Sequence, residues 1–111
     1  MFSSISDLAE DKLLLLYLLE KIKLPISNNQ ITQIILENNF INYFALQQYI
    51  AELINSNFID CIEQDDKHRI VISPKGLKVL SLFRNRISKD KIKAVDEYLI
   101  KQLESIKKEI T

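Results

Sequence analysis

One glycine and two prolines in 111 residues leave the chain few means of turning tightly. β-Sandwiches and barrels reverse direction often and use both residues freely, so an all-β architecture is disfavoured and helices are favoured. The single cysteine, Cys61, rules out an internal disulfide framework and fits a reducing, cytoplasmic setting. It is expected to be a small buried apolar side chain rather than a reactive thiol. One histidine and one cysteine are too few for a metal cluster of ordinary ligand number. His68 falls in a polar turn and Cys61 in a strand, so no nucleophile has a base placed to activate it. Gly76 alone cannot make a glycine-rich phosphate loop. Asp65-Asp66 reads as a turn former rather than a calcium ligand set. No catalytic residue, metal or cofactor is therefore expected, and nothing specifies a small-molecule effector. The longest apolar run, Leu13 to Leu19, is far short of the ~18 residues a membrane span needs, and no signal peptide is visible.

A net charge is also lacking, with 15 basic and 15 acidic residues, but the balance hides an asymmetry. Residues 1–63 carry 3 basic and 8 acidic side chains, whereas residues 64–93 carry 9 basic and 3 acidic. A nucleic-acid binder needs a local positive face more than a positive total, and the second segment supplies a candidate. Apolar residues at 47% and charged residues at 27% suit one ordinary globular domain of this length.

Along the chain, Asp7 with Glu10 has the spacing of a capping box, and a helix follows to about Lys23. Leu8, Leu15, Leu19 and Ile22 share one face, and Leu14, Tyr17 and Leu18 widen it until the helix must be buried on several sides. Ser27 with Gln30 opens a second helix whose inner face is Ile31, Ile34 and Ile35. Asn38 and Asn39 tolerate a left-handed backbone and end it without glycine. Asn42 caps a third helix to about Asn57, with Leu46, Ile50, Leu53 and Ile54 as its core stripe and Tyr43, Phe44 and Tyr49 flanking it. Residues 58–63 and 69–73 then read as two strands around a polar turn, Gln64 to His68. Ser73 and Pro74 start a fourth helix as cap and first residue, with Leu77, Leu80 and Phe83 expected inward. The order α-α-α-β-β-α is that of a winged helix-turn-helix: mainly α with a small β-hairpin, over residues 1–87. From Ser88 to the end, Ile92, Val95, Leu99, Ile106 and Ile110 mark a long amphipathic helix with favourable Glu97–Lys101 and Glu104–Lys108 pairs.

Three runs carry a resemblance: Leu8 to Tyr17, Ser27 to Thr32, and Asn42 to Tyr49. They are similar to an uncharacterised bacterial family of unknown function that is described as winged-helix. Ser73-Pro74-Lys75-Gly76 resembles the segment after the wing in PadR-like and MarR-like regulators. The likeness covers nearly the whole chain, implies the fold, and carries over no activity. Members of the family extend further, which implies that the chain is part of a longer protein.

A DNA-binding transcriptional regulator is the function these features imply. The third helix, about 42–57, would enter the major groove, presenting Asn42, Tyr43, Gln47 and Gln48, with Thr32 on the supporting helix. The wing, residues 64–69, would bring Lys67, His68 and Arg69 to the backbone, with Lys75 behind it. That helix holds no lysine or arginine, so binding would be weak or dependent on dimerisation. A homodimer seam is expected to join Leu16 to Ile92, Val95, Leu99, Leu103 and Ile106 of the last helix, residues 88–111. The alternative is that this helix folds back over the first helix of its own chain. A winged-helix module that docks another protein without binding DNA is the second functional class.

Overall fold

The computed structural model describes the backbone of residues 3–110 and the side chains of residues 10–102. Three helices open the chain, and each is followed by a residue with a left-handed backbone. α1 spans Ser3–Ile22, α2 Asn28–Glu37 and α3 Tyr43–Asn55; Lys23, Asn39 and Asn57 follow them at φ 62°, 54° and 64°. Asparagine thus does at two helix ends what glycine does in most chains. Ser27 and Gln30 form the expected capping box, and the Asn42 side chain accepts from the Ala45 N–H at 2.9 Å.

The hairpin is tighter than its polar turn suggested. β1 (Ile59–Gln64) and β2 (Lys67–Ile72) pair antiparallel from Ile59↔Ile72 to Gln64↔Lys67, leaving a two-residue turn. Asp65 and Asp66 both have positive φ, 54° and 62°, which is the turn geometry that matches the twist of paired strands. Gln64, Lys67 and His68 are therefore strand residues, not turn residues. Ile26 adds a further bridge to Ile70, with backbone bonds in both directions, so the segment between α1 and α2 lies beside β2. Cys61 is exposed on β1, contrary to the expectation of a buried thiol. The solvent-facing side of a two-stranded wing has nothing to cover it.

α4 (Pro74–Phe83) starts at Ser73 as expected, but its inner face differs. Gly76 and Leu80 are buried, whereas Leu77 and Phe83 are substantially exposed and Leu82 is 62% exposed. Rotation of the helix is set at its first turn. Ser73 donates through its N–H to Phe58 O (3.0 Å) and through its hydroxyl to Asn57 O (2.6 Å), and Gly76 lies against the Phe58 carbonyl. A short 3-10 turn, Arg84–Arg86, leads to α5 (Lys89–Ile110). The whole is a winged helix-turn-helix with an added C-terminal helix.

Leu13 to Leu19 are all buried, as a helix packed on several sides requires. α1 is the central element and meets α3, α4, α5, β2 and the 3-10 turn. α1 begins at Ser3, ahead of the expected cap; the side chains of Asp7 and Leu8 lie outside the described residues. Glu10 serves the far end of the chain instead. Its carboxylate accepts from the Ser88 N–H (2.8 Å) and pairs with the Lys91 ammonium (2.9 Å), which ties the start of α5 to α1. Tyr17 donates to Asp96 (2.6 Å), with the Arg84 guanidinium 4.8 Å over its ring. Tyr98 donates to Glu37 on α2 (2.7 Å).

Candidate nucleic-acid interface

The first turn of α3 projects away from the core. Leu46, Tyr49, Ile50 and Leu53 fix the buried side of this helix. Phe44, two residues before Leu46, lies about 200° from it at 100° per residue and is 83% exposed. Its expected place flanking the core is therefore corrected: it is a prominent surface side chain. Tyr43, about half exposed, meets it edge to face with ring centroids 5.5 Å apart. Asn42 and Gln48 are exposed beside them. Asn42 has its side-chain oxygen committed to the cap, and Gln48 donates to Glu52 at 3.1 Å. Glu52 also holds Lys12 of α1 at 2.7 Å, and these bonds, Lys12 first, keep its carboxyl below the usual value.

Gln47 and Thr32 do not face outward as free readers. Asn28 Nδ2 donates to Gln47 Oε1 (2.9 Å), Gln47 Nε2 donates to Thr32 Oγ1 (2.9 Å), and Thr32 donates to Asn28 Oδ1 (3.0 Å). This closed ring of three side chains joins α2 to α3 and fixes their relative placement. Asn28 is a member that sequence reasoning missed. Its spacing of four from Thr32, which puts both on one side of α2, was the available signal.

On the wing, Lys67 and His68 are exposed as expected, and Lys75 is exposed with its ammonium 5.2 Å from the centroid of Phe58. Arg69 is a correction. It is only 8% exposed, and its Nε is buried without a hydrogen-bond partner. The β2 register alternates side chains between two faces, and the segment around Ile26 covers this strand from one edge. The basic stretch is further reduced by internal pairing. Arg84 lies 3.7 Å from Glu20, Lys91 holds Glu10, and Lys93 approaches Glu97 at 4.0 Å. Within residues 64–93, the exposed cations without a described acidic partner are Lys67, Lys75, Lys78, Arg86 and Lys89.

The model of a family described as Domain of unknown function (DUF4364) matches residues 11–111. The chain belongs to this family. No curated protein and no solved structure gives a match.

In this DUF4364 domain the expected dimer seam is taken up largely within one chain. Leu16, Val95 and Leu99 are buried in the core and Ile92 is packed against it, because α5 lies along α1. An apolar seam at helical spacing does not reveal which surface will cover it, and here the chain's own first helix does. Leu103 and Ile106 lie outside the described side chains. On the uncovered side of α5, Ile100 is 80% exposed. Among the described residues, no helix is long and apolar enough to cross a membrane.

Proposed function

We propose that this DUF4364 domain is a cytoplasmic DNA-binding transcriptional regulator, similar to PadR-like and MarR-like proteins, that binds double-stranded DNA as a homodimer. The supporting observation is the uncovered first turn of α3 within a winged helix-turn-helix. Asn42, Tyr43, Phe44 and Gln48 form a surface of amides and aromatic rings beside the α2–α3 connection. In a major groove the Gln48 amide is suited to adenine, Phe44 to a thymine methyl, and Tyr43 to a phosphate. Lys67 and His68 on the wing, with Lys75 behind them, supply backbone contacts. Gln47 and Thr32 hold α2 against α3 instead, and Arg69 is buried. The two protomers are proposed to meet through the outer side of α5, where Ile100 stands out.

Few cations imply a modest salt dependence. Two lysines per protomer give a dimer slope of roughly −4 in log K against log salt. Fluorescence anisotropy on genomic duplex fragments, titrated with salt, measures it. Lys67→Glu with Lys75→Glu is expected to abolish binding at moderate salt, and Phe44→Ala to weaken it with the salt slope unchanged. No duplex binding even at low salt refutes the proposal. The Tyr43–Phe44 pair on a helix without a basic residue favours one other reading, a face that docks a protein. That reading gives a complex that Phe44→Ala abolishes and salt leaves intact.

A further inference from the structure

Between α1, the end of α3 and α4 lies an open cavity of about 220 Å³. Its wall is apolar: Leu13, Leu16, Leu53, Phe58, Val79 and Phe83. Two cations, Lys12 and Arg86, stand at the same cavity, and no acidic side chain lines it among the described residues. The two cations differ in how they are met. Lys12 already holds Glu52 at 2.7 Å. Arg86 has its Cζ 4.9 Å from the centroid of the Phe83 ring and has no ion pair among the described residues. The site therefore combines an apolar lining with one positive charge that is not neutralised. Arg86 is exposed, and its guanidinium can meet a carboxylate with two parallel N–H donors.

We infer that this cavity is a binding site for a small apolar monocarboxylate, its hydrocarbon body against the leucines and its carboxylate on Arg86. Size limits the body. An engineered cavity of about 150 Å³ holds benzene, so about 220 Å³ takes one substituted ring or a short alkyl chain. The charge count sets the head group. A dianion would have to draw Lys12 away from Glu52, a neutral ligand gains no charge contact from Arg86, and a cation meets two like charges. Leu53 belongs to α3 and Lys12 is the α1 anchor of Glu52, so an occupant touches the helix proposed to read DNA. Occupancy itself stands without that role.

Isothermal titration and methyl NMR of the 111-residue chain with octanoate, benzoate, octanol and benzyl alcohol test it. At least one carboxylate is expected to bind saturably with Kd at or below about 1 mM, more tightly than its alcohol, and to shift the Leu13, Leu53 and Val79 methyls. Octanoate over benzoate marks an alkyl ligand, and the reverse an aryl one. Arg86→Gln, a surface change that leaves the fold intact, is expected to weaken the carboxylate about tenfold and leave the alcohol unchanged. Val79→Phe, which fills the cavity, is expected to abolish both. Equal binding of carboxylate and alcohol, carboxylate binding indifferent to Arg86→Gln, or no saturable binding overturns the inference. All of these readouts are independent of DNA.

Discussion

Gly76→Ala sets two effects of opposite sign against each other. In an open helix the change is favourable by about 1 kcal/mol, because alanine is the better helix former. At this position an added Cβ falls 2.0 Å from the Phe58 carbonyl oxygen and 2.9 Å from Ile72 Cγ1. Real Cβ contacts stay beyond 3.0 Å, so helix and carbonyl must separate by at least 1.0 Å (3.0 less 2.0). The carbonyl cannot simply yield, since it accepts from the Ser73 N–H at 3.0 Å. A shift of that size also strains the 2.6 Å bond from the Ser73 hydroxyl to Asn57 O. Each weakened bond costs about 1 kcal/mol, and overpacking adds about 1–3 kcal/mol. Net destabilisation of about 2–4 kcal/mol remains after the helix gain is subtracted. For a domain of this size that lowers Tm by on the order of 10–20 °C. Thermal and urea unfolding followed by circular dichroism measure it, with Ser81→Ala, on the exposed side of the same helix, as the background. A Gly76→Ala variant as stable as the parent would refute the packing account of this glycine.

Three further outcomes follow from features described above. Arg69→Met removes a buried Nε–H that lacks a partner, and is expected to raise stability by about 1–2 kcal/mol without weakening any DNA binding; a lower urea midpoint would show that the arginine has an anchoring partner. Gln47→Ala opens the α2–α3 ring and is expected to cost about 1–2 kcal/mol, whereas Gln48→Ala is expected to leave the urea midpoint within about 0.5 kcal/mol of the parent. Tyr17 and Tyr98 are both raised to about 12, first by burial and then by the carboxylates of Asp96 and Glu37. Their folded-state values exceed the unfolded value near 10, so their contribution is complete below pH 10 and is lost as pH rises toward 12. Urea midpoints measured across that window should fall, and Tyr17→Phe with Tyr98→Phe should flatten the fall.

Features that depend on residues a few positions apart were legible in the sequence. The Ser27–Gln30 box, the Asn42 cap and the Ser73-Pro74 start each satisfy N–H groups within one helical turn, so their spacing carries the information. Features that depend on what covers a surface were not. Arg69 in an alternating strand looks like a wing cation, yet it is buried beside Ile70, where the Ile26 segment pairs with the strand. Gln47 reads as an outward amide until Asn28 and Thr32, 19 and 15 residues away, are seen to hold it. Val95 and Leu99 announce a buried seam without naming its partner. Phe44 could have been placed by helical angle alone, since it stands opposite Leu46.

The bond from Ser88 to Glu10 spans 78 residues, and those of Tyr17 and Lys91 between α1 and α5 span 79 and 81. Such separations delay the completion of α1 until α5 has been made. At about 5–20 residues per second, the interval between making α1 and making α5 is roughly 4–16 s. Through that interval part of the Leu13 to Leu19 stretch lacks its final cover, since Val95 and Leu99 do not yet exist. Within the domain, α1 is made before α2–α5 and is finished only when α5 arrives, so these two elements are made far apart and assembled together. Ribosome-bound chains ending before α5 are the species in which that surface is open to a chaperone or to a neighbouring nascent chain.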